Sequence, residues 1–307
     1  MRHELIVSVP DERMATRLRP APAGARYVVW PMSGPPPEPR IDLVVPPYAG
    51  LARILAELPR VEMSVIQSQA IGYDGVAELL PPGIVYCNAA GVHEASTAEL
   101  AVTLTLASLR GIPDFVRRQD RGDWQWLRYD ALADKTVAVV GQGGIGRATA
   151  ERFAPFEVDL VRVASTARKD AEGVVHGADE LPGLLADADV VVLAVPLTAA
   201  TTHLVDDAFL SRMKDGALLV NVSRGRVVDT DALLDHARRG HVRAALDVVE
   251  PEPLPEEHPL WRTPGILITP HVGGNTTAMA PRMDRLIREQ IDRMLAGEEP
   301  ANIVLRT

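Results

Sequence analysis

The chain is almost without cysteine, having one, Cys87, in 307 residues. A single thiol excludes an internal disulfide framework and any metal centre built from several cysteines, and it suits a reducing compartment, the cytoplasm. Long hydrophobic runs are also missing. No apolar stretch approaches the roughly 18 residues of a membrane-crossing helix, and the opening MRHELIVSVPDER carries charge where a signal peptide needs its apolar core. A soluble intracellular protein with no membrane partner is therefore expected. Positive charge is in deficit too: 32 Lys and Arg against 41 Asp and Glu give a formal net charge of -9. Nucleic acid and anionic lipid find no basic field here, so any anion must be held locally. No repeat of fixed period occurs.

What remains, 47% hydrophobic and 24% charged residues, is ordinary globular composition, and the length suffices for two domains that each bury a core. One stretch organises the chain: Val137-Ala138-Val139-Val140-Gly141-Gln142-Gly143-Gly144-Ile145-Gly146. Four apolar residues predict a short buried strand, and glycines at 141, 143 and 146 fit G-x-G-x-x-G at the entry to a helix over 145–156. In a dinucleotide-binding unit the first glycine permits the turn, the second admits a diphosphate to the backbone, and the third lets the helix pack close. Gly144 and Ile145 complete that candidate cofactor loop. Strands are expected around it at 137–140, 160–163, 190–195, 218–222, 244–248 and 266–269, near-continuously apolar as a parallel sheet covered on both faces requires.

Before this region, strands are expected at 5–8, 26–30, 42–46, 63–67 and 84–87, with helices over 51–58 and 75–80. The strand ending at Gln67 runs into a glycine turn, Ser68-Gln69-Ala70-Ile71-Gly72, at the carboxyl edge where such sheets bind ligands. A long helix over 94–110 is apolar on nearly every face and should be buried between domains or subunits, so the domain boundary is placed just before it. The segment 111–133, with Trp124 and Trp126, reads as irregular and as a wrap around an interface. The expected organisation is a substrate domain of residues 1–93 completed by 277–307, through a helix over 278–295, and a dinucleotide-binding domain of 94–276.

The second strand of the dinucleotide domain ends in Val163-Ala164-Ser165-Thr166-Ala167-Arg168-Lys169. No carboxylate stands where NAD-specific domains place one for the ribose 2′-OH. The hydroxyls of Ser165 and Thr166 and the guanidinium of Arg168 suit a 2′-phosphate instead, which favours NADP over NAD.

Three further motifs each follow a strand: Asn221-Val222-Ser223-Arg224-Gly225, Leu246-Asp247-Val248-Val249-Glu250-Pro251-Glu252-Pro253, and Thr269-Pro270-His271-Val272-Gly273-Gly274. With the glycine loop, Gly91-Val92-His93, Val195-Pro196-Leu197-Thr198 and Pro300-Ala301-Asn302-Ile303-Val304, their order resembles the D-isomer-specific 2-hydroxyacid dehydrogenase family over most of the chain. The resemblance implies an α/β protein of two Rossmann-like domains, a doubly wound parallel-sheet dinucleotide domain and a smaller flavodoxin-like substrate domain, with a cleft between them; the apolar helix after Glu94 suggests the seam of a homodimer. It implies NAD(P)H-dependent reduction of a small 2-oxo acid, such as glyoxylate or hydroxypyruvate, to the D-2-hydroxy acid. Arg224 matches the arginine that binds the substrate carboxylate and carbonyl, Glu252 the carboxylate that pairs with the catalytic histidine, and His271 the acid/base itself. Ile71 and Gly72 fall in the family's substrate loop, whose backbone N–H groups hold the carboxylate. Ala70 stands where glycine is frequent and Ile71 where alanine is, which narrows the pocket or makes it more apolar. Pro196 and Thr198 match residues lining the cofactor site, and Asp247 either orients the nicotinamide side or supports the sheet end. His93 lies near the nicotinamide or starts the long helix.

Departures exclude some relatives. Formate dehydrogenases have glutamine at the position of Glu252, phosphite dehydrogenases have lysine at that of Ile71, and the regulatory domain of long phosphoglycerate dehydrogenases is not expected. A rival reading on the same fold is a nucleotide-sensing binding protein of the corepressor kind.

Overall fold

The computed structural model describes residues 4–56 and 61–307. Its chain divides into two compact units, 1–93 with 277–307 and 94–276. In chain order the first unit holds strands β1 (Leu5–Val9), β2 (Ala25–Val29), β3 (Arg40–Val44), β4 (Glu62–Gln67) and β5 (Val85–Cys87), with β14 (Ile303–Arg306) from its closing segment. These pair as β14-β5-β4-β3-β1-β2, parallel throughout except for β14, which runs antiparallel to β5. Setting β14 aside, the order is the flavodoxin-like one. Helices α1 (Glu12–Leu18), α2 (Leu51–Ala56) and α9 (Met279–Ala296) accompany this sheet. Successive strand residues point to opposite faces and both faces are covered. Val7, Val9 and Leu43 pack with Met14, Leu18, Met283 and Ile287, while Ile6, Ile41 and Ile66 pack with Trp30, Leu55 and Tyr86. Gln290 of α9, fully buried, donates to Gln67 and to the Ala301 carbonyl (2.8 Å), which ties the helix to the end of β4.

The second unit holds α3 (Glu94–Leu109), α4 (Ile112–Gln119), β6 (Thr136–Val140), α5 (Gly144–Phe153), β7 (Asp159–Val163), β8 (Arg168–Asp170), β9 (Gly173–Val175), α6 (Leu181–Leu184), β10 (Val190–Leu193), α7 (Asp207–Leu210), β11 (Ala217–Asn221), α8 (Thr230–Arg238), β12 (Val242–Leu246) and β13 (Ile266–Ile268). Its main sheet runs β13-β12-β11-β10-β6-β7, all parallel, as the apolar strands require. Val137, Val139, Val190, Val192, Leu218 and Val220 face α3 and α5; Ala138, Val140, Val191, Leu193 and Leu219 face Leu181, Phe209 and Leu233 on the other side. Strand order reverses between β6 and β10, and the carboxyl ends there are the binding edge of this architecture.

Several expectations need correction. The 75–80 helix is only a 3-10 turn at Ala77–Leu79. Residues 57 and 58 of the expected 51–58 helix lie outside the described residues. The supposedly irregular 111–133 segment opens with α4, whose Pro113 sits in the first turn, where its missing N–H costs nothing. Within its own unit, α3 packs against α5 and the sheet. Residues 168–175 form a two-stranded antiparallel hairpin that was not expected, and Arg168 stands on its first strand. Neither α1 nor β14 was expected.

Candidate active site

The glycine loop joins β6 to α5. Gly141 has φ +104°, and a Cβ there would lie 2.3 Å from the Ala194 carbonyl oxygen at the end of β10; a Cβ at Gly146 would lie 1.8 Å from the Gly141 oxygen. Both glycines are thus imposed by packing. Gly143 differs, since a Cβ on it would meet nothing within 4 Å. It caps α5 with no side-chain hydrogen bond, and the first-turn N–H groups of Gly144, Ile145 and Gly146 gain no partner within the helix. Open space beside uncapped N–H groups at a helix N-terminus fits a diphosphate. Beyond β10, Thr201 Oγ1 donates to the Pro196 carbonyl (2.6 Å) and receives the Thr198 N–H (2.8 Å), which shapes the neighbouring loop.

At the end of β7, Ser165, Thr166 and Arg168 are exposed. Buried Arg162 points back under the hairpin and binds Asp170 through two bonds (2.8 and 3.0 Å) and Glu172 through a third (2.8 Å). The two carboxylates of the hairpin are therefore held by a cation beneath it, and Asp170 is kept below the usual carboxylate range chiefly by its bond to Arg162. Sequence reading missed this clamp.

The three polar motifs sit beyond the carboxyl ends of β11, β12 and β13. Asn221, fully buried, accepts from the Ser223 N–H (3.0 Å) and hydroxyl (2.6 Å) and donates to the Arg224 carbonyl (2.9 Å), fixing the turn on which Arg224 stands. Gly225 is obligatory: a Cβ would lie 1.9 Å from the Val249 oxygen, so only glycine lets this turn press against the segment carrying Glu252. Glu250 is occupied elsewhere, with Arg226 (3.4 Å) and His203 (3.5 Å). Glu252 instead lies 2.5 Å from His271 Nδ1. His271 has φ +54°, uncommon for a residue with a β-carbon, and is held there by N–H bonds to the Asp247 (2.8 Å) and Thr269 (3.1 Å) carbonyls.

Electrostatics follow from that pairing. The hydrogen bond to Glu252 raises the His271 pKa above its ordinary value, with the charges of Glu252 and Asp247 adding to it against burial and Arg224. Glu252 is lowered chiefly by the same hydrogen bond, and Arg224 contributes in the same direction. Arg224 is thus close enough for its charge to act on both partners. With Nδ1 engaged by the carboxylate, Nε2 is the ring atom left to exchange a proton. An imidazolium of raised pKa beside a guanidinium can deliver a proton to an oxyanion and bind a carboxylate.

Asp247 is nearly buried, and its carboxylate accepts from the Thr269 hydroxyl (2.6 Å) and the N–H groups of Val272 and Gly273 (2.9 Å each). Through these bonds it anchors the loop that carries His271. Nothing in the sequence motif marked Thr269 as its partner.

In the first unit, the turn after β4 is fixed by its carbonyls. Asn88 donates to the Ile71 carbonyl (2.8 Å), the Ala89 N–H to that of Ala70 (2.9 Å), and His93 Nε2 to that of Gln69 (2.6 Å). Among the described residues, the N–H groups of Ile71 and Gly72 have no protein acceptor. His93 precedes α3 and takes its ring to this turn. Among the described residues, no helix is long and apolar enough to cross a membrane, and no cluster of three His, Cys, Asp or Glu side chains is placed to hold a metal.

A family model described as the NAD-binding domain of D-isomer-specific 2-hydroxyacid dehydrogenases matches residues 102–273. Glyoxylate reductase of Thermofilum pendens is 36% identical over 253 residues, covering 79% of this chain and 75% of that protein. The glyoxylate reductase/hydroxypyruvate reductase of Homo sapiens is 35% identical over 246 residues, covering 77% and 75%. Among solved structures, a D-isomer-specific 2-hydroxyacid dehydrogenase from Xanthobacter autotrophicus in complex with NADPH superposes with a TM-score of 0.79 at 28% identity, covering 99% of this chain and 98% of that one.

Proposed function

The chain belongs to the D-isomer-specific 2-hydroxyacid dehydrogenase family, and from that premise we propose that it reduces a small 2-oxo acid, of the glyoxylate or hydroxypyruvate kind, to the D-2-hydroxy acid. It is an NAD(P)-dependent oxidoreductase. Bound NAD(P)H supplies the hydride that reaches carbon 2. Everything else falls to the protein. In this reading Arg224 grips the carboxylate and carbonyl through its guanidinium fork, and His271 Nε2 gives its proton to the carbonyl oxygen; in the first unit, Ile71 and Gly72 are assigned to substrate through their free N–H groups. Glu252 keeps His271 charged until that transfer. The observation that carries the reading is the 2.5 Å His271–Glu252 contact with Arg224 acting on both.

Residues 1–93 and 277–307 are assigned to the substrate and 94–276 to the dinucleotide. Gly141, Gly143, Gly144, Ile145 and Gly146 are assigned to the diphosphate, Pro196 and Thr198 to the wall beside it, and Asp247 to the nicotinamide side together with the loop it anchors. Ser165, Thr166 and Arg168 are assigned to a 2′-phosphate, which makes NADPH the preferred cofactor. Support comes from their exposure and from Arg162, which occupies the nearby carboxylates that would otherwise repel a phosphate. A homodimer through the 112–127 segment is assigned on the exposed apolar side chains of Ile112, Val116, Trp124 and Trp126, the last fully exposed. The cytoplasm is assigned on the single cysteine, which is buried and whose thiol burial pushes up to about 11.

The test follows reduced-nicotinamide absorbance with a panel of 2-oxo acids and NADPH or NADH. Turnover is expected; nucleotide binding without turnover on any acid would leave the sensor reading in its place. In the same assay Arg168→Ala should raise the KM for NADPH about tenfold or more and leave that for NADH within about twofold, since a charge-assisted bond to the phosphate is worth roughly 1.5–3 kcal/mol. An unchanged NADPH-to-NADH ratio would end the 2′-phosphate assignment.

A further inference from the structure

Arg162 sits near the end of β7 between Val161 and Val163, with 5% of its surface exposed. A guanidinium so buried needs its charge met, and the β8–β9 hairpin supplies both carboxylates. Nη2 and Nη1 donate to Oδ1 (2.8 Å) and Oδ2 (3.0 Å) of Asp170 as a two-pronged fork, and Nη1 donates to Glu172 as well (2.8 Å). The hairpin is also tied at its root, where the His176 N–H donates to the Arg162 carbonyl (2.8 Å) and the Ala164 N–H to the His176 carbonyl (2.9 Å). Two short strands alone hold together poorly in water, so these bonds fix the pair on the edge of β7. Residues two apart on a strand share a face, which puts Arg168 beside Asp170. The Asp170 carboxyl is kept below the usual range chiefly by its bond to Arg162, and the charge of Arg168 adds to this, so the two side chains are near enough to interact. Yet the Arg168 guanidinium makes no hydrogen bond or ion pair among the described residues, because both oxygens of Asp170 are engaged by Arg162.

We propose that Arg162 is a positioning residue for cofactor choice: by holding Asp170 from beneath, it stops that carboxylate from pairing with Arg168 and so leaves the Arg168 guanidinium open to a 2′-phosphate. The inference rests on the reading that Arg168 takes that phosphate. Without Arg162, Asp170 turns to the cation beside it on its own strand. Arg168 is then neutralised from within, and the site loses its grip on NADP while NAD, which carries no such group, is bound as before.

Calorimetric titration of the protein with NADP+ and with NAD+ tests this without turnover. In the wild type NADP+ should bind more tightly, and Arg168→Ala should remove that margin; equal Kd values in the wild type would end the 2′-phosphate reading and this inference with it. Arg162→Met should weaken NADP+ about tenfold, as loss of a charge-assisted bond does, and leave NAD+ within about twofold. Adding Asp170→Asn to Arg162→Met should restore most of the NADP+ affinity, because an amide cannot neutralise Arg168. A purely structural Arg162 gives another pattern, in which both nucleotides weaken alike or the loss persists in the double variant. Either result overturns the inference and leaves the 2′-phosphate reading standing, as does an unchanged NADP+ affinity in Arg162→Met. Thermal melts verify folding. Should Arg162→Met fail to fold, Arg162→Lys, with a single ammonium in place of the fork, should show the same selective loss in smaller measure, and equal weakening of both nucleotides there overturns the inference too.

Discussion

Replacing His271 with alanine should lower kcat for 2-oxo acid reduction by about 10²–10⁴-fold, the usual contribution of a positioned general acid. The imidazole is the proton source of the proposed reaction, and among the groups its pKa responds to only Glu252 and Asp247 are carboxylates. Glu252 is engaged at Nδ1, and Asp247 has both oxygens bonded within the loop, so neither is placed to take over the transfer. Because the loop backbone is held by the carbonyl of Asp247 and not by the imidazole, the alanine variant should fold and bind NADPH with nearly unchanged affinity. A kcat equal to that of the wild type would remove His271 from the chemistry.

The same pair predicts a pH profile. Reduction requires the imidazolium, and Glu252 raises the His271 pKa above its ordinary value. Reduction should therefore hold through neutral pH and decline on the alkaline side of that raised pKa, while oxidation of the hydroxy acid, which needs the neutral ring, should rise over the same range. Glu252→Gln keeps a neutral partner and removes the charge. It should shift the alkaline limb of reduction to lower pH; a limb that stays in place would mean that another group titrates there. As the two groups are coupled, the profile reports values that belong to the pair.

How much of this was legible beforehand depended on where the information lies along the chain. The strands of the second unit stood out because burial on both faces makes each an unbroken apolar run, as in Val190–Leu193. The β8–β9 hairpin did not, because Arg168-Lys169-Asp170 carries no apolar residue to mark a strand; what orders it is Arg162, a buried guanidinium six residues earlier on β7. α1 escaped notice because it is a short, largely polar segment whose start is marked by one cap, Asp11, bonded to the Met14 N–H (2.8 Å). β14 is half-exposed and pairs with β5 across more than 200 residues of sequence. At the site, Arg224, Glu252 and His271 came forward through the order of the motifs. Asn221 and Thr269, which fix the turns beneath them, did not, since an amide or a hydroxyl at a strand end announces nothing until its partners are known.

Asp247→Ala should be the most damaging single change to the loop that carries His271. The carboxylate accepts three bonds at 2.6–2.9 Å, two of them from backbone N–H groups 25 and 26 residues further on, and the Gly273 donor is buried. Truncation leaves those donors without an acceptor. At about 1–3 kcal/mol for each buried group left unpaired, and less for the partly open Val272 and Thr269, the loss should be about 2–4 kcal/mol. For a domain of this size that lowers Tm by roughly 4–16 °C. Catalysis should suffer further, because the left-handed backbone at His271 persists only while its surroundings impose it, and a displacement of about 1 Å in a catalytic group can cost about 10²-fold in rate. Asp247→Asn keeps one carbonyl acceptor and should fall between wild type and alanine in both measurements. A direct role at the nicotinamide would read differently: NADPH affinity would collapse in both variants while Tm stayed put. Thermal melts paired with NADPH titrations and kcat therefore separate the anchor from the cofactor contact, and a Tm unchanged in Asp247→Ala would refute the anchor.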